Sequence, residues 1–123
     1  MKFNLDRPAT THIVRSYAPG LIRIGDRDFS ASVIVTASVL IEPWRPRRMA
    51  DLAAADLEPV LALQPEILLI GSGERQVFPV PELLAALYAA RLGFEIMATG
   101  AACRTYNVLV AEGREVAAAL MIE

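Results

Sequence analysis

The hydrophobic pattern of this 123-residue chain changes character near its middle. In the first third, apolar and polar positions alternate, as half-buried strands require. Residues 10–17 carry Ile13, Val14 and Tyr17 and predict a strand, followed by an Ala18-Pro19-Gly20 turn with Pro and Gly in type II order. Residues 21–24 and 28–35 predict a hairpin across Gly25-Asp26, with Phe29, Ala31, Val33 and Val35 on one face. Residues 39–41 predict a further short strand ended by Pro43. Trp44-Arg45-Pro46-Arg47-Arg48 predicts a loop, and residues 56–62 a helix with Asp56 as N-cap and Pro59 in its tolerant first turn.

The second half reads differently. Glu66-Ile-Leu-Leu-Ile-Gly71 is a continuous apolar run, the mark of a strand buried on both faces. Pro81 opens a helix through Arg91, with Leu83, Leu84, Leu87 and Tyr88 on one stripe and Gly93 suited to the position after its C-cap. Residues 94–98 form the next strand, 100–112 a helix stopped by Gly113, and 116–122 a last apolar strand. Strand-helix-strand-helix-strand order demands right-handed crossovers and a largely parallel sheet. The expected fold is therefore α/β: a single three-layer domain over residues 1–123. Its central mixed, mostly parallel sheet is flanked by helices, and the N-terminal third adds an antiparallel β layer.

Composition narrows the function classes. Hydrophobic residues make up 54% of the chain and the mean hydropathy is +0.40. The longest mainly apolar run, 31–41, is interrupted by Ser32, Thr36 and Ser38 and falls short of the roughly 20 residues of a spanning helix. No transmembrane segment is expected. The start Met-Lys-Phe-Asn-Leu-Asp lacks the apolar core of a secretory signal, so a cytoplasmic location is expected. A net charge of −2 argues against nucleic acid as a partner. One cysteine and one histidine offer neither a disulfide nor an ordinary zinc site, and no cofactor or metal is expected. The high apolar content permits a homodimer without specifying its interface.

The densest motif runs from Met97 to Arg114, with a Thr99-Gly100 turn, the polar group Arg104-Thr105-Tyr106-Asn107 and the Glu112-Gly113-Arg114 stop. The block Glu95-x-Met97-x-Thr99 with Ala102-x-x-Thr105-Tyr106-Asn107-x-Leu109-x-x-Glu112-Gly113-Arg114 resembles one half of a known family pattern. Ile67-Leu-Leu-Ile-Gly-Ser-Gly73 with Phe78-Pro79 resembles the other half. That family comprises small uncharacterised bacterial and archaeal proteins related to mitochondrial respiratory complex I (NADH dehydrogenase) assembly factor three, with a more distant animal relative associated with adipogenesis. The resemblance is strong over about 65–120 and weaker over 17–44. It implies a three-layer fold and carries no catalytic residue to this chain. Relatives often have Asp between the Met and the Thr, where this chain has Ala98.

Two groups of residues are candidate sites. Gly71, Ser72 and Gly73 follow a buried strand, where open α/β sheets bind ligands. A dinucleotide fingerprint fails, because its third glycine would fall at Gln76. A structural tight turn is the alternative. Thr99, Gly100 and Arg104 begin the neighbouring helix, with Thr99 read as its N-cap and free amides in position to hold an anion. Asn107 lies on a partly apolar face and needs several partners if buried. Cys103 reads as a small buried hydrophobe rather than a nucleophile, since a Cys–His pair would need the strand of His12 beside its helix. Trp44, Arg45, Arg47 and Arg48 form a candidate partner loop, set against a plain solvated loop whose Trp covers the core edge.

Two functions follow as expectations. The first is a non-catalytic assembly or scaffolding factor acting through protein–protein contacts, its partner a membrane-complex subunit. The second is a small-molecule or anion binder, or weak enzyme, at the edge between Gly71, Ser72, Gly73 and the Thr99–Arg104 helix start.

Overall fold

The computed structural model describes residues 11–123. The segment 1–6 and Thr10, used above for the absence of a signal and for the first strand, lie outside the described residues. Strands β1 (Val14–Ala18), β2 (Leu21–Ile24) and β3 (Arg27–Phe29) make an antiparallel three-stranded sheet. Gly20 has φ +87°, as the third position of a type II turn requires.

Five further strands form the central sheet: β4 (Ser32–Val35), β5 (Leu40–Trp44), β6 (Ile67–Gly71), β7 (Gly93–Met97) and β8 (Val116–Leu120). Their spatial order is β5-β4-β8-β6-β7. β8 pairs parallel with β6, and β6 with β7, while β4 runs antiparallel to both β8 and β5. The helices are α1 (Glu58–Ala62), α2 (Pro81–Ala89) and α3 (Thr99–Ala111). The connection through α2 steps outward from β6 to β7, and that through α3 returns across β6 to β8. Two crossovers of one hand running in opposite directions must place their helices on opposite faces of the sheet.

The core shows that division residue by residue. Val33, Val35, Leu69, Val116, Ala118 and Leu120 point toward α3 and the small sheet, joining Ala102, Cys103 and Tyr106. Ile34, Leu68, Ile70, Ala117 and Ala119 point the other way, against Val60 of α1 and Leu83 and Leu87 of α2. Continuous apolar runs are required in these strands because both faces are covered.

Several boundaries differ from expectation. Residues 28–35 do not make one strand: the chain breaks at Ser30-Ala31 and changes sheets, β3 pairing with β2 and β4 with β8. Pro43 lies inside β5 rather than ending it. β5 is an edge strand, so a missing N–H costs no ladder bond there. Trp44 is consequently the last residue of that strand and not part of the loop. Asp56 is not the N-cap of α1. It sits in a preceding 3-10 turn, Ala54–Leu57, where its carboxylate accepts the Ala53 N–H at 2.8 Å. α2 stops at Ala89, and Arg91, with φ +61°, takes the left-handed position assigned to Gly93, which instead opens β7.

α3 ends as the sequence requires. Gly113 has φ +79°, its N–H donates to Val110 O, and the Arg114 N–H donates to Leu109 O. Both bonds belong to a Schellman motif, which satisfies the last carbonyls of the helix.

Candidate functional site

The parallel pairing of β6 and β7 brings the loops after both strands to one edge of the sheet, so Gly71, Ser72 and Gly73 meet the start of α3. The contact is closed rather than open. Thr99 is fully buried, and its hydroxyl accepts the Gly73 N–H at 2.7 Å while donating to Met121 O at 2.8 Å. The Thr99 N–H donates to Gly73 O at 2.8 Å. Thr99 is therefore not the N-cap of α3. That position belongs to Ala98, which offers no side-chain bond, and Thr99 turns inward to tie two loops and the chain after β8.

Ser72 locks the same turn from within. Its N–H donates to Met97 O, its hydroxyl donates to Arg75 O at 2.6 Å, and the hydroxyl oxygen accepts the Val77 N–H at 2.9 Å. Gly71 must be glycine because a Cβ there would lie 2.8 Å from Thr99 Oγ1 and 2.9 Å from its Cα. At Gly73, with φ +102°, a Cβ would lie 1.8 Å from Glu123 O. Residues 121–123 thus fill the crevice that other open α/β sheets leave for a ligand. The Met121 N–H donates to Gly71 O, the Glu74 N–H donates to Glu123 O, and Glu123 N–H donates to Arg47 O. The Ser72, Gly73, Glu74 and Thr99 N–H groups at this edge are all engaged within the chain.

Gly100, Arg104 and Asn107 face elsewhere. They lie with Cys103 along one stripe of α3, opposite Val14 to Tyr17 of β1, and between them runs an open groove of about 340 Å³. At one end Asn107 pairs with the backbone of Val14: Nδ2 donates to Val14 O at 2.7 Å, and Oδ1 accepts the Val14 N–H at 3.0 Å. The buried Tyr106 hydroxyl donates to His12 O at 2.8 Å. Burial holds the phenol well above its ordinary pKa. The segment carrying His12, just before β1, does run beside α3. The His12 ring, however, bonds Thr36 O through Nδ1, and burial pushes the Cys103 thiol up to about 12. No metal-binding group of three His, Cys, Asp or Glu occurs among the described residues.

The arginine loop is held by partners within the chain. The Trp44 indole is buried, and its Nε1–H donates to Asp56 O at 2.9 Å. Arg45 grips the Asp56 carboxylate through Nε at 2.9 Å and Nη2 at 2.7 Å, and this pair draws the Asp56 pKa below its usual value. Arg47 and Arg48 both reach the Glu123 carboxylate. Arg15 and Tyr17 are groove residues that the sequence analysis did not single out. Their spacing of two on a strand was a signal, but nothing local told that α3 would lie against them.

The sequence pattern of the family described as "Protein of unknown function (DUF498/DUF598)" matches residues 14–121. The chain belongs to this family. Its DUF498/DUF598 relatives include the "13 kDa major membrane protein" of Francisella tularensis subsp. holarctica, 31% identical over 83% of this chain and 84% of that protein. An uncharacterized protein of Rhodobacter capsulatus is 35% identical over 88% of this chain and 82% of its own length. NADH dehydrogenase [ubiquinone] 1 alpha subcomplex assembly factor 3 of Bos taurus is 28% identical over 94% of this chain, which spans 63% of that longer protein. A solution structure of a Xanthomonas campestris protein superposes with a TM-score of 0.86 at 37% identity, covering 99% of this chain and 92% of the other. A Bordetella pertussis structure described as a Mth938-like domain gives a TM-score of 0.79 at 32% identity, covering 99% and 92%. The three-layer expectation and the family resemblance both hold. Among the described residues, no helix is long and apolar enough to cross a membrane.

Proposed function

We propose that this protein is a non-catalytic assembly factor that docks on a subunit of a membrane-bound respiratory complex from the cytoplasm. Its similarity to assembly factor 3 supplies the class of partner. One observation carries the contact reading: apolar side chains stand in solvent on a segment that is itself held rigidly. Val77, Phe78 and Val80 are exposed, Phe78 by 61%, and Tyr88 on the following helix by 71%. The Ser72 hydroxyl fixes the backbone at Arg75 and Val77, and Gln76 Nε2 donates to Ile96 O at 2.9 Å. Exposed apolar groups on a fixed backbone lose little freedom on binding, which is what favours a docking surface.

The polar residues of the chain's densest motif point the same way. Thr99, Tyr106 and Asn107 spend their bonding capacity on the fold, and the Cys103 thiol stays protonated at physiological pH. The Arg45, Arg47 and Arg48 side chains are 61%, 46% and 64% exposed, yet a partner would have to draw them from Asp56 and Glu123. The apolar segment needs no such exchange, so it is the primary surface and the arginine turn a subsidiary one.

The test is affinity capture from detergent-solubilised membranes, comparing wild type with Phe78→Ser/Tyr88→Ser. Wild type should recover respiratory-complex subunits by mass spectrometry. The double variant, with an unchanged circular dichroism spectrum, should lose them. Equal recovery by both proteins, or no such subunit with either, overturns the reading.

A further inference from the structure

The groove between β1 and α3 is separate from the apolar segment, and its chemistry is different. One wall is four consecutive residues, Val14 to Tyr17, of a strand at the sheet edge among the described residues, about 13 Å long at strand rise. The other is the helical stripe Gly100, Cys103, Arg104 and Asn107, about 10 Å long at helical rise. Gly100 is what opens the cleft: the nearest atoms a Cβ there would meet are Arg104 Nη1 at 3.6 Å and Tyr17 Cδ2 at 3.8 Å. A larger side chain would fill the space in front of both.

Two arginines line it, Arg15 on the strand and Arg104 on the helix. Both are exposed, and neither forms an ion pair among the described residues. Arg27, Arg75 and Arg91 also form no ion pair among the described residues, but they do not line the groove, while Arg23, Arg45, Arg47, Arg48 and Arg114 are each paired with a carboxylate. The positive end of the α3 dipole adds to the field at Gly100. Burial, and after it the nearby Glu74 carboxylate, raise the Tyr17 phenol above its ordinary pKa, so the Tyr17 end is the less favourable one for an anion. A carboxylate is therefore drawn to the middle of the groove, where the two forks can each offer a bidentate contact.

We infer that this groove receives an extended acidic segment of a partner protein, its carboxylates held between Arg15 and Arg104. Shape decides against a compact metabolite, because such ligands are mostly enclosed and this cleft is long and open. Charge decides against nucleic acid: the chain carries a net −2, and two cations in one groove are no track for a polyanion. The inference rests on the protein-contact reading only in preferring a peptide to a free anion. It also moves the anion-binding role of Gly100 and Arg104 from the β6 loop to β1.

The experiment uses purified protein and a fluorescein-labelled octapeptide of alternating Val and Glu, with the Val-Lys peptide as control, read by fluorescence anisotropy. The Val-Glu peptide should bind saturably, weaken as salt rises from about 0.05 M to about 0.5 M, and weaken at least about tenfold in Arg15→Glu/Arg104→Glu. Both positions are exposed, and thermal unfolding checks that the variant remains folded. Amide shifts in a ¹⁵N spectrum should concentrate on Val14 to Tyr17 and Gly100 to Asn107. Phe78→Ser/Tyr88→Ser should bind as wild type does, which separates this site from the apolar surface. Failure of the Val-Glu peptide to bind, equal binding of the charge-reversed variant, or succinate or inorganic phosphate competing as strongly as unlabelled peptide would each overturn the proposal.

Discussion

The side-chain amide of Asn107 takes both backbone groups of Val14, one at 2.7 Å and the other at 3.0 Å, in place of a neighbouring strand. It thereby pairs a β-sheet edge from a helix, and holds the small sheet on α3 across a separation of 93 residues in the chain. Asn107→Ala leaves an N–H and a C=O without partners beside the buried Val14. Urea unfolding should show a loss of about 2–3 kcal/mol, the range for stranded buried polar groups. Asn107→Asp keeps the acceptor but loses the donor and sets a carboxylate against a carbonyl, so it should be no better than Ala.

Thr99 poses a sharper comparison, because its hydroxyl bridges Gly73 and Met121 with no exposure to water. Thr99→Val retains shape and removes both bonds, and should cost about 2–4 kcal/mol in chemical denaturation. Thr99→Ser retains both bonds and removes one methyl, and should cost only about 1 kcal/mol. Similar losses for the two variants would mean that packing, not the bridge, holds this joint.

Two glycines with positive φ should respond very differently to alanine. Gly25, at φ +60°, has open space where a Cβ would go, so Gly25→Ala should lose only the left-handed backbone cost of about 1–2 kcal/mol. At Gly73 the same methyl would overlap the Glu123 carbonyl, and the chain after β8 would have to move. Gly73→Ala should lose more than about 3 kcal/mol or fail to accumulate folded protein, as measured by thermal unfolding.

Ala98 caps α3 without a side-chain bond, so a carboxylate introduced there would meet unpaired helix amides. Ala98→Asp should raise stability by about 1 kcal/mol at neutral pH, as a new N-cap does. The helix would depress the folded-state pKa of that carboxyl. The gain is therefore complete above the unfolded value of about 3.9 and disappears as pH falls through the lower folded value.

Cys103 tests the burial of α3 directly. With its thiol held at about 12 by desolvation, almost none is thiolate at pH 8. Iodoacetamide labelling of the native protein should be about three orders of magnitude slower than in urea, where the thiol returns to near 8.5. Raising the pH toward 11 under native conditions should speed the reaction roughly tenfold per unit.

What could be read from the sequence depended on how local its cause was. The runs in β6 and β8 announced strands buried on both faces, and Gly113 announced the end of α3, because sterics and desolvation act on neighbouring residues. The break at Ser30-Ala31 was hidden: residues 28–35 alternate well enough to read as one strand, and only the competing partners β2 and β8 divide them. Pro43 misled because its tolerance depends on β5 lying at an edge. At the candidate site, the meeting of Gly71, Ser72 and Gly73 with Thr99 followed from parallel strand order. The closing of that meeting did not, since it depends on Met121 and Glu123, and neither did the pairing of the Arg45 guanidinium with Asp56.

The position of β8 bears on how the molecule assembles. Among the described residues it is the only link in the central sheet between the β4–β5 hairpin and the β6–β7 pair, and it follows all four in the chain. Until residues 116–120 arrive, those pairs are two separate fragments, each with an apolar edge waiting. Closure then requires contacts as distant as Val33 with Leu120, which makes the search slow compared with hairpin formation. During synthesis from the N-terminus the central sheet therefore cannot close before residues 116–120 are available, and a chain cut short of β8 would leave unpaired strand edges open to aggregation.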